Sequence, residues 1–81
     1  MKILELLNNN KEATHVATDE IHADNINKKL NDPISAIFDP GDHFIFKSQD
    51  KDFVIFNCID YRPDLAFKVS LDIWKTNTVK I

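Results

Sequence analysis

Leu65-Ala66-Phe67-Lys68-Val69-Ser70-Leu71-Asp72-Ile73-Trp74 is the stretch whose reading decides the fold. Leu65, Phe67, Val69, Leu71 and Ile73 alternate with Ala66, Lys68, Ser70, Asp72 and Trp74. A period of two sends successive side chains to opposite faces, so residues 65–74 predict a half-buried β-strand. Upstream, Asp60-Tyr61-Arg62-Pro63-Asp64 reads as a loop. Residues 53–59 are apolar on both faces, as in a central strand. Residues 49–52 form a turn and 44–47 another strand. Asp39-Pro40-Gly41-Asp42 has Pro second and Gly third, the type II turn signature. Residues 34–38 supply the first strand of an antiparallel meander.

Before Pro33 the pattern reads as helical. In residues 1–7, Ile3, Leu4, Leu6 and Leu7 make an apolar stripe that Asn8-Asn9-Asn10 ends. A second helix is expected over about residues 19–30, capped by Thr18 or Asp19. Its acids Asp19, Glu20 and Asp24 lie toward the N-terminus, and Lys28 and Lys29 toward the C-terminus, as the helix dipole favours. Ala23, Ile26 and Leu30 share a face, and Asn31-Asp32-Pro33 stops the helix. Residues 13–18 read equally well as helix or edge strand. The expectation is therefore an α+β fold, with two short N-terminal helices packed on one face of a four-stranded antiparallel β-meander. It forms a single domain across residues 1–81, with 1–31 mainly helical and 33–75 sheet.

Strand register decides which residues form the core. With even parity through both short turns, one face collects Ile37, Phe44, Phe46, Phe53, Ile55, Ile59, Leu65, Phe67, Val69, Leu71 and Ile73. The other holds Ile34, Ala36, Phe38, His43, Ile45, Val54, Phe56 and Cys58. A bulge in the Asp39–Asp42 turn would swap the sides of the first strand. On this register Ile34, Phe38, Ile45, Val54 and Phe56 form an exposed apolar patch, which predicts a homodimer.

Composition narrows the function classes. The chain of 81 residues has room for one core and carries a single cysteine, Cys58, which excludes a disulfide scaffold. Residues 1–7 are too short and too charged for a signal peptide, and no apolar run approaches a membrane span. Cytoplasmic location is expected. There are 10 basic and 13 acidic residues, and the excess of three acids lies in the first 40. No concentrated basic face offers itself to nucleic-acid phosphates, which weakens an RNA-stacking role for Phe44, Phe46, Phe53 and Phe56. Nine of the ten basic residues are lysine and Asn and Ile are abundant, a bias shared by phages, mobile elements and low-GC bacteria.

Two constellations bear on chemistry. His15, Asp19 and His22 would share a helix face and form a weak metal site; solvated side chains on an acidic helix are the simpler account. His43 and Cys58 become cross-strand neighbours, a minimal base and nucleophile, yet nothing beside Cys58 makes an oxyanion site. One glycine cannot build a phosphate-cradling loop. No catalytic residue, cofactor or metal is expected. Trp74 sits off the core phase, as a lid over the sheet edge or as an interface anchor. The reading is a non-enzymatic protein-binding or regulatory module that occludes a partner with a basic surface. In a phage or mobile-element setting it would inhibit a host defence or nucleic-acid-binding protein. The partner-binding residues are Asp19, Glu20, Asp24, Phe56 and Trp74.

Overall fold

A computed structural model describes residues 13–27 and 31–81. The strands are β1 (His15–Ala17), β2 (Ile21–Asn25), β3 (Ser35–Phe38), β4 (His43–Gln49), β5 (Phe53–Cys58), β6 (Ala66–Ser70) and β7 (Thr78–Lys80). One short helix, α1 (Leu71–Asn77), separates β6 from β7. The strands form one antiparallel sheet in the order β3-β2-β6-β5-β4-β1-β7.

That order forces the sheet to curl. In a flat sheet β1 and β2 would lie four strand spacings apart, about 19 Å at ~4.8 Å each. Only residues 18–20 join them, and four extended Cα steps reach about 14 Å. The sheet therefore wraps into a half-barrel. The α1 C-terminus braces the corner. The Asn77 carbonyl accepts from Thr18 N–H at 2.8 Å, and the Asn77 amide donates to the Glu20 carbonyl at 3.0 Å.

The α+β expectation is thus overturned: among the described residues the fold is mainly β, and the helix found there follows the central strands. The helix expected over residues 19–30 is replaced at its start by β2, where Ile21, Ala23 and Asn25 are buried and His22 and Asp24 exposed. β2 is paired on both sides, by β3 and β6, and that pairing outweighs the capping and dipole pattern. The helix expected over residues 1–7 lies outside the described residues. The meander survives only as β4-β5-β6. β3 pairs with β2 instead of β4, so the residue 39–42 turn joins strands that are not neighbours. The turn itself is as read: Gly41 has φ +98° and Asp42 N–H donates to the Asp39 carbonyl at 3.1 Å.

The core lies on the concave face. Phe38 meets Phe44, Phe56 and Phe67 edge-on, with ring centroids 5.4, 5.6 and 5.1 Å away. Val54, Phe56 and Cys58 point inward, whereas the even register placed Phe53, Ile55 and Ile59 there. A β-bulge at Lys47 makes the difference. On the turn side Ser48 faces Ile55 and Gln49 faces Val54; beyond it Phe46 faces Phe56 and Phe44 faces Cys58. One extra residue reverses every side of β5 relative to β4. On β3, Phe38 is core and Ile37 exposed, again the reverse of the even register. The five-residue apolar patch therefore does not exist as a surface, because Phe38, Val54 and Phe56 are buried.

In residues 65–74 alternation holds through Ser70 and then stops. Ser70 is the N-cap of α1, its hydroxyl accepting from Ile73 N–H at 3.2 Å. Read as an outward strand residue, Ser70 would be replaceable at no cost. As a cap, Ser70→Ala should cost about 1 kcal/mol, measured by urea unfolding.

Candidate functional site

Among the described residues, two concave surfaces flank the core. The larger is an open groove of about 490 Å³, lined by Thr14 and His15 beside and on β1, Phe46 and Gln49 on β4, Leu71, Trp74 and Lys75 on α1, and Thr78 and Lys80 on β7. α1 builds one wall, because Leu71, Trp74, Lys75 and Thr78 follow helical spacing. Trp74 is buried, its ring 5.1 Å from Phe56 and 4.8 Å from His15. Thr14 Oγ1 accepts from Phe46 N–H at 2.8 Å and lies 2.9 Å from His15 Nδ1.

Burial holds the His15 imidazole below its ordinary pKa of 6.5, and the neighbouring Lys80 ammonium adds to the effect. A depressed folded-state pKa means that the unfolded chain takes up the proton first. The stability this neutral ring contributes is complete above pH 6.5 and is lost as pH falls through the folded-state value. NMR titration of the His15 ring should give a midpoint below 6.5, and a midpoint above it would contradict this packing.

The smaller surface is a cleft of about 300 Å³ lined by Ala36, Ile37, Phe38, Asp39, Asp42, Asp60 and Tyr61. Asp60 Oδ2 accepts from His43 N–H at 2.7 Å and lies 3.0 Å from His43 Nδ1. Asp42 Oδ2 accepts from Asp39 N–H at 3.0 Å. The cleft adjoins β3, whose outer edge pairs with no other described strand. Asn25 N–H donates to the Ile34 carbonyl, so β3 residues 34, 36 and 38 turn their backbone groups toward β2. Ser35 and Ile37 then direct theirs to the free edge. The Ile34 and Ile37 side chains are also exposed, at 68% and 59%.

The residues singled out from sequence divide between these surfaces and the core. Asp19 and Glu20 are exposed in the β1–β2 corner and Asp24 on β2, not on a helix. Glu20 meets His22 at 3.3 Å, and on the outer face His22 and Asp24 stand opposite Ile37 and Ser35 of β3. Phe56 is fully buried, and Trp74 packs as a lid on the aromatic core. His15, Asp19 and His22 share no helix face: His15 enters the groove while His22 is exposed beside Glu20. Among the described residues no group of three His, Cys, Asp or Glu side chains is placed to hold a metal ion.

His43 and Cys58 are on opposite sides of the sheet. His43 faces Asp60, whereas Cys58 pairs with Phe44 inside, where burial pushes its thiol up to about 12. Sequence reasoning weighed His15 for a weak metal site and placed Phe46 and Leu71 in the core, and missed the groove they line together. The available signal was Ser70-Leu71-Asp72, an N-cap followed by an acid in the first turn.

Among the described residues, the fold and its surfaces define a small antiparallel half-barrel with an apolar groove and an acidic sheet edge. Comparison with protein-family models, curated proteins and solved structures gives no match. No helix among the described residues is long and apolar enough to cross a membrane.

Proposed function

We propose that this protein is a non-enzymatic binding module that occludes a surface of a larger protein, and that the contacting segment of that partner is basic. The observation that carries this reading is the outer edge of β3, which no other described strand pairs with, with Asp24 on the neighbouring β2, Glu20 just before β2, and Asp39, Asp42 and Asp60 at its end. An unpaired edge offers main-chain hydrogen bonds to an added strand, and neighbouring pockets select its side chains. Lysine or arginine in the acidic cleft supplies specificity and a fast, salt-sensitive encounter. Cysteine use supports a cytoplasmic setting, with Cys58 a reduced, buried thiol.

The probe is a synthetic peptide of alternating lysine and valine, with a glutamate-for-lysine version as control. Amide shifts should concentrate at Ser35–Phe38, Asp39 and Tyr61 for the lysine peptide and be absent for the control. Ile37→Pro removes an outward N–H on an edge strand, so it should weaken binding at least tenfold with the fold intact. Shifts elsewhere, or equal binding of both peptides, overturn the reading. Concentration-dependent self-association abolished by Ile37→Pro would assign the edge to a second copy instead.

A further inference from the structure

The apolar groove is a separate feature, and its lining differs in charge from the rest of the molecule. The chain has a net charge of −3, yet among the described residues the groove is lined by Lys75 and Lys80 and by no carboxylate. Its floor is Phe46, Leu71 and Trp74. Lys80 stands directly opposite His15 on the neighbouring strand, so a cation is placed at the apolar wall and not at a distant rim. Two polar side chains of the lining are already engaged. The Thr78 hydroxyl donates to the Trp74 carbonyl at 2.6 Å, and Thr14 Oγ1 takes the Phe46 N–H. An opening of about 490 Å³ lies within the range of small-molecule sites, which are mostly apolar with a few orienting polar groups.

We infer that the groove binds a small monocarboxylate with an aromatic or branched apolar body, the body lying on Trp74, Phe46 and Leu71 and the carboxylate facing Lys80 and Lys75. An apolar body recovers the transfer energy of the partly exposed Phe46 and Leu71 side chains. The anion meets two ammonium groups, and among the described residues no acidic side chain of the groove competes with it. A neutral ligand gains only the first of these. The inference does not depend on the acidic edge or on any partner bound there.

Trp74 is the only tryptophan in the chain, so its emission reports the groove directly. The probes are 4-phenylbutyrate and its neutral analogue 4-phenylbutanamide, titrated into the full chain with amide shifts recorded in parallel. The acid should change Trp74 emission saturably and shift Thr14, Leu71 and Lys80 amides. The amide should bind at least tenfold more weakly. Lys80→Gln should reduce affinity for the acid at least tenfold, bringing it to that of the amide, with unfolding midpoint unchanged. No saturable response to the acid at 10 mM, on the order of the weakest useful affinity, overturns the proposal. Equal binding of acid and amide overturns it too. A response seen only in a Leu4→Glu variant would show that the chain's own residues 1–12 compete for the groove, and would also reject it.

Discussion

Phe56→Ala should lower stability by about 3–5 kcal/mol, whereas Phe53→Ala, three residues away on the same strand, should cost about 1 kcal/mol. Phe56 is fully buried against Phe38, Phe44, Phe67 and Trp74, so truncation removes transfer energy and leaves a cavity that these four side chains line poorly. Phe53 is on the convex face, 38% exposed, with the Lys68 ammonium 4.6 Å from its ring centroid. Its removal sacrifices a cation–π contact and some cross-strand cover. A domain of this size holds only about 4–12 kcal/mol in total, so Phe56→Ala approaches complete unfolding. Urea midpoints with circular dichroism measure both. The reverse order would show that the Lys47 bulge is absent and that β5 presents its other side to the core. Phe56→Leu provides a folded reference if the alanine variant does not fold.

Particular residues show why some of this was legible in sequence and some was not. Residues 66–70 read correctly because β6 is paired on both sides and buried on one face, so its alternation matches its environment. The same residues misled beyond Ser70. Leu71 and Ile73 continue the strand period, while Leu71, Trp74 and Thr78 also satisfy the helical one. The cap on Ile73 N–H decides between them. β5 is apolar on both faces, so its phase is set by the bulge in β4 and not by its own composition. β2 was hidden for a different reason. Its third inward residue is Asn25, a buried amide that donates to the Pro33 carbonyl at 3.0 Å and accepts from Asn27 N–H at 2.8 Å. A polar residue in the core phase erases the alternation that Ile21 and Ala23 begin. The acids Glu20 and Asp24 were legible as an exposed negative surface, but the open edge beside them depends on β3 pairing with β2, a contact no local pattern encodes.

Asn57→Asp should be the most pH-dependent substitution in the protein. Asn57 is on β5 and 9% exposed, and its side-chain amide donates to the Pro63 carbonyl at 3.0 Å and to the Leu65 carbonyl at 2.8 Å. These two bonds pin the loop that carries Asp60 and Tyr61 into the acidic cleft. The substitution changes only the amide nitrogen for oxygen, yet it removes both donors and sets a carboxylate against two carbonyl oxygens. Two lost buried bonds cost about 2–4 kcal/mol, and an unpaired buried charge raises this further. The new carboxyl is favoured in its neutral form, which can donate one hydrogen bond, so its folded-state pKa rises above the unfolded value of about 3.9. The folded variant therefore holds its proton longer than the unfolded chain. Its stability relative to wild type is greatest below about pH 4 and falls by about 1.4 kcal/mol per pH unit as pH rises toward the folded-state pKa. Asn57→Leu removes the donors without adding a charge, so its deficit should not vary with pH. Urea midpoints of wild type and both variants at pH 4 to 7 separate the two effects. A deficit in Asn57→Asp that is flat across this range would mean that the side chain is not held between the two carbonyls. The slope has a functional counterpart: as pH rises and the loop loosens, Asp60 and Tyr61 leave their places beside β3, and affinity for the lysine peptide should fall with the same pH dependence.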